Sequence, residues 1–149
     1  MNRRIVGVLL LAAGLARAEP EASEGYKSEI QITPLLRTMN TAARQPIVYP
    51  TTDQAEVTAV LVEIPPGAET GWHKHLFPCF AYIESGTLEV DLEGGKTHRF
   101  TAGQALAESI HLLHNGRNAG TEPVRLVMFV MGEKGKPFTE RAPEPPVEK

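Results

Sequence analysis

The chain has 149 residues, 42% of them apolar and 22% charged, with a formal net charge of −3. That length and balance fit one globular domain with a packed core and exclude pervasive disorder. No basic patch interleaved with aromatic residues occurs, and an acidic surface repels phosphate backbones, so nucleic acid is not expected as a partner.

Residues 1–18 read as a secretory signal peptide. Met1-Asn2-Arg3-Arg4 is a basic start, Ile5 to Leu15 is apolar, and Ala16-Arg17-Ala18 is a small-x-small cleavage pattern. The apolar run is too short to span a bilayer. Cleavage after Ala18 and a periplasmic or secreted protein are therefore expected. Three of the fifteen basic residues and none of the eighteen acids fall in 1–18, so the mature chain carries a formal charge of −6. No later apolar run is long enough for a membrane span. Cys79 is the one cysteine, so no intrachain disulfide can form and the fold must rest on packing, with a metal as the available staple.

Residues 19–50 form a lead-in. It is polar at first, then alternates apolar and polar over Ser28 to Thr33, which predicts a short strand. A domain over 51–135 follows. Val57 to Ile64 is β-branched and almost continuously apolar, and reads as a buried strand ended by Pro65-Pro66-Gly67. Cys79 to Glu84 and Thr87 to Leu92 flank Ser85-Gly86, the pattern of a hairpin. Glu93-Gly94-Gly95 turns into a strand over Lys96 to Phe100, Gln104 to Glu108 is a further short strand, and Val124 to Met131 closes the domain. Many short strands at regular turn spacing predict an all-β sandwich or barrel. Residues 136–149 are proline-rich and predict a flexible tail.

The chemistry is concentrated in two stretches, Gly67 to Gly86 and Gly103 to Asn118. His73 and His75 alternate, and in an extended chain they share a face. His114, from a strand distant in sequence, supplies a third imidazole, enough for a mononuclear metal centre with open positions. In the strand after the histidines, Cys79 and Ala81 fall on one face beside the expected site. Isolated histidines and free cysteines are usually structural, and Cys79 reads equally as a buried small hydrophobe. Glu108 is the carboxylate nearest in sequence to the second stretch, readable as a base, a substitute fourth ligand or a surface acid. His111 is a pocket candidate, Arg117 an anion-binding candidate at the mouth, and Asn115-Gly116 with Asn118 a turn that positions His114.

These stretches resemble the two motifs of the cupin superfamily. In the first, G-x5-H-x-H-x3,4-E-x6-G, the matching residues are Gly67, His73, His75, Cys79 and Gly86, with cysteine where the motif has glutamate. In the second, G-x5-P-x-G-x2-H-x3-N, they are Gly103, His114 and Asn118, with Ser109 and His111 at the proline and glycine positions. The chain is similar to small secreted single-domain bacterial cupins. The resemblance implies a double-stranded β-helix (jelly roll) and a homodimer. It also implies one divalent transition metal (iron, copper, zinc, nickel or manganese) on His73, His75 and His114, with Cys79 as a further ligand and His111, Glu108 and Ala81 around it. The function it implies is a metal-dependent, oxygenase-type enzyme acting on a small molecule; the alternative is a non-catalytic metal- or ligand-binding module.

Overall fold

The computed structural model describes residues 26, 27, 29–143 and 145. The segment expected to be a signal peptide, the start of the lead-in and residues 146–149 lie outside the described residues. Among the described residues there is no helix, hence none long and apolar enough to cross a membrane.

Nine strands follow one another among the described residues: β1 (Ala55–Ile64), β2 (His73–His75), β3 (Cys79–Ser85), β4 (Thr87–Leu92), β5 (Lys96–Thr101), β6 (Ala105–Ala107), β7 (His114–Arg117), β8 (Val124–Glu133) and β9 (Thr139–Arg141). They build two antiparallel sheets, in the orders β1-β8-β3-β6 and β5-β4-β7-β2-β9. This is the expected all-β jelly roll. Period-two burial supplies the core. In β8, Val124, Leu126, Met128 and Val130 point inward to Ile83 and Leu106, while Phe129 points out.

Several local expectations are revised by pairing. Cys79 to Leu92 is not a hairpin, because β3 belongs to one sheet and β4 to the other. Gly86 makes the corner between them at φ 75°, a conformation that glycine adopts without steric cost. The true hairpin is β4–β5 across Glu93-Gly94-Gly95. Asn115-Gly116 is not a turn but the middle of β7, paired with Val90 and Asp91. No described element covers the outer face of the β1-β8-β3-β6 sheet, so the outward residues Val57 and Leu61 of β1 are exposed rather than buried, as are Phe129 and Tyr82 on the strands beside it. Glu29 to Thr33 pairs with nothing among the described residues and forms no strand; Ile30 N donates to Lys27 O in a local turn.

The largest revision concerns the tail. Thr139–Arg141 is a strand that pairs with β2, placing His73 opposite Arg141 and His75 opposite Thr139. Leu76 N donates to Phe138 O and Ala142 N to Trp72 O, and Lys74 meets Glu140 at 3.1 Å. The proline-rich composition hid this because a strand of three residues has too few positions to show a period.

Candidate metal centre

β2 and β7 lie side by side, with His73 directly opposite His114. Alternation along β2 then puts His75 on the face that His73 shares. The three rings gather with centroids 4.4 to 5.1 Å apart. One ring nitrogen from each lies within 4.8 Å of the others, close enough for one ion to be shared. A Cβ on Gly116 would stand 3.4 Å from both Leu88 Cδ1 and Thr70 Cγ2, at the limit of ordinary contact.

The other ring nitrogens are engaged by the chain. His73 Nδ1–H donates to Gly71 O at 2.8 Å and His114 Nδ1–H to Leu112 O at 2.9 Å. His75 Nδ1 meets Thr139 Oγ1 at 3.2 Å. Such partners fix ring orientation and turn each Nε2 toward the common centre. His114 Nε2 is buried and has no hydrogen-bond partner. A buried polar atom left so is costly unless something binds it, and a cation at the imidazole cluster satisfies it. The residues fit a metal.

Glu108, just past β6, reaches this cluster from the opposite sheet. Its Oε2 accepts from His75 Nε2 at 2.8 Å and stands 3.6 Å from His114 Nε2, the latter too long for a hydrogen bond. Burial pushes the Glu108 carboxyl up, but the imidazoles of His114 and His75 outweigh that and hold it well below the usual carboxylate range. The electrostatics divide the histidines. Burial, aided by its two neighbours, pushes His73 down to about 4 despite its bond to Gly71. His114 is pressed down by burial yet ends above the ordinary histidine value because Glu108 faces it. The Glu108 carboxylate thus acts on His114 more than on His73, and His73 is held toward the neutral form that a ligand needs.

The remaining expected residues fall elsewhere. Cys79 is buried, but it is not one of the residues gathered around the three ring nitrogens. Its Sγ donates to Phe77 O at 3.3 Å, and burial together with the Glu108 charge raises the thiol far above its ordinary value. In this structure the thiol is turned to Phe77 O and is not brought among the three ring nitrogens as expected. Ala81 sits inside the apolar core rather than lining a pocket. His111 holds a left-handed backbone at φ 56°, where the motif has glycine, and its N–H donates to His75 O; as expected of a pocket residue it lines a cavity, together with Gln45, Tyr49, Phe77 and Ile110. Arg117 is already occupied, at 2.7 Å from both Glu89 and Asp91. Asn118 is fully buried and ties Ile64 O, Glu122 O and Gly120 N together. Thr139 carried no signal in the sequence, since only pairing through β9 brings it to His75.

The family described as "Cupin domain" matches residues 60–130, which include all three histidines and Glu108. A polyketide synthase protein, CurC, of Streptomyces cyaneus is 37% identical over 73 residues, 48% of this chain and 47% of that protein. The chain thus spans about half the length of the curated relative it matches. Among solved structures, a double-stranded β-helix protein from Klebsiella pneumoniae is 20% identical with a TM-score of 0.51, over 65% of this chain and 91% of that one. An oxalate decarboxylase from Lactobacillus farciminis is 23% identical with a TM-score of 0.51, over 57% of this chain and 26% of that one. The DMSP lyase DddQ from Ruegeria pomeroyi is 20% identical with a TM-score of 0.50, over 57% and 42%. At such identities these structures speak to the fold alone. Over residues 60–130, which carry all three histidines, the chain resembles the cupin domain, and it shares the double-stranded β-helix fold.

Proposed function

We propose that the protein is an exported mononuclear metal enzyme that acts on a small molecule, with oxygenase-type chemistry. The observation that carries the reading is the convergence of three oriented imidazoles around His114 Nε2, buried without a partner. His73, His75 and His114 would hold one divalent transition metal; neutral nitrogen donors suit iron, copper, nickel or zinc. When bound, such an ion supplies a Lewis-acid or redox centre with open positions. The chain's own contribution is to hold the ring tautomers through Gly71 O, Leu112 O and Thr139, to exclude water with Phe138 stacked 6.4 Å from His75, and to keep a carboxylate beside the cluster.

A homodimer belongs to the same reading. Its support is the outer face of the β1-β8-β3-β6 sheet, where Val57, Leu61, Phe129 and Tyr82 are exposed together.

The test is elemental analysis of the protein recovered untagged from the periplasm, followed by oxygen-uptake screens. Near-stoichiometric metal with oxygen-dependent turnover supports the enzyme. Metal without any turnover favours the binding module, and no metal after anaerobic reconstitution overturns the enzyme and leaves a ligand-binding barrel. Thr139→Val should weaken metal binding by about tenfold with the fold intact, because partners of metal-bound histidines contribute 10–100-fold to affinity. Competition with a chelator measures it, and unchanged affinity would show that Thr139 does not orient His75.

A further inference from the structure

Glu108 is placed with more care than a surface acid needs. Its side chain is only 14% exposed, and a carboxylate so enclosed is costly unless cationic or hydrogen-bonding groups face it. The groups it faces, His75 Nε2 at 2.8 Å and His114 Nε2 at 3.6 Å, are two of the three imidazoles that converge on the centre, although Glu108 itself stands outside the tight trio of ring nitrogens. It also occupies a defined place in the barrel. The β3–β6 register pairs Phe80 with Ala107 and Ala81 with Leu106, and Glu108 N donates to Cys79 O at 2.8 Å. Glu108 therefore stands directly across from Cys79, and cross-strand partners point to the same face about 5 Å apart. Both project inward. Of the two, the thiol turns away to Phe77 O and the carboxylate turns to His75.

We propose that Glu108 is the fourth protein donor of the metal site, giving a three-nitrogen, one-oxygen set in which the carboxylate comes from the strand facing Cys79. This rests on the reading of His73, His75 and His114 as the metal centre. The consequence is selectivity. An anionic oxygen donor partly neutralises a dication and favours harder ions such as manganese(II) and iron(II), whereas a thiolate from Cys79 would favour softer ones.

The experiment titrates the purified protein with manganese(II) and zinc(II), by calorimetry and by the electron paramagnetic resonance of bound manganese. Glu108→Gln should weaken manganese(II) by at least about tenfold, alter the spectrum of any manganese still bound, and cost zinc(II) less. Glu108→Asp should recover part of the loss. In the Glu108→Gln background, Cys79→Glu should return manganese affinity by supplying a carboxylate from the facing strand. Cys79→Ser should bind as the wild type does. Wild-type manganese affinity and spectrum in Glu108→Gln, or a tenfold loss in Cys79→Ser, would overturn the assignment of Glu108 alone. If the unaltered protein binds neither ion, or His73→Ala binds as well as it does, the three-histidine centre itself fails. A loss in Glu108→Gln from misfolding would appear as equal loss of both ions with no rescue by Cys79→Glu, and would also count against the proposal.

Discussion

His73→Ala is expected to abolish tight divalent-metal binding while leaving the barrel folded. Removing one of three imidazole donors should cost at least about 100-fold in affinity, since the partners of such ligands alone contribute 10–100-fold. His73 is the right one to remove. It is the only member of the trio that is partly exposed, whereas His75 and His114 are each 2% exposed and their loss would open the core as well. Metal content and chelator competition read the first effect, and a urea transition reads the second. Retention of stoichiometric metal would place the ion elsewhere.

The same variant makes a pH prediction. In the metal-free protein His73 titrates at about 4, against an ordinary value of 6.5. Between those values the unfolded chain holds a proton on His73 that the folded one does not, so this residue makes stability fall as pH drops through that window. His114, shifted upward, acts in the opposite sense: its contribution is complete below the ordinary histidine value and is lost as pH rises through the raised one. Without His73 only the second effect remains. Metal-free His73→Ala should lose less stability than the wild type on going from neutral pH toward 4, as measured by urea midpoints across that range. Parallel losses would argue that the ring is not held neutral.

Gly86→Ala should destabilise the domain by about 3 kcal/mol, a large part of the margin of a small protein. Two costs add at this corner. A non-glycine residue at φ 75° carries left-handed strain of about 1–2 kcal/mol. The new Cβ would also stand 2.8 Å from Pro123 O and 3.0 Å from Val124 Cα, so backbone must move, at about 1–3 kcal/mol for an overpacked site. Gly94→Ala separates the two, because Gly94 has φ 84° but nothing within 4 Å of its Cβ position. It should cost about 1 kcal/mol, the strain alone. Denaturant midpoints at constant slope compare them. Equal losses would mean that the close approach of the loop before β8 contributes nothing.

Much of this protein is legible in the order of its residues because the underlying rules are local. The β-branched run of β1, the alternation of β8 and the glycine turn of β4–β5 each follow from a few neighbouring residues, since strand period and turn conformation are set within that range. The alternation of His73 and His75, with His114 at its spacing, likewise announces a shared site.

What only the tertiary structure decided is everything that depends on which strands become neighbours. Ser85-Gly86 has the composition of a hairpin turn, yet the chain crosses there between sheets. Asn115-Gly116 has the composition of a turn, yet it is held extended between β4 and β2. The tail adds a strand to β2 and brings Thr139 to His75. The choice between Cys79 and Glu108 is of the same kind. Both residues face the interior from adjacent strands, and their separation along the chain carries no information about that contact. The thiol turns to Phe77 O, while the carboxylate faces His75. Pairing between distant strands decides that outcome, and it is not a property of any short stretch of sequence.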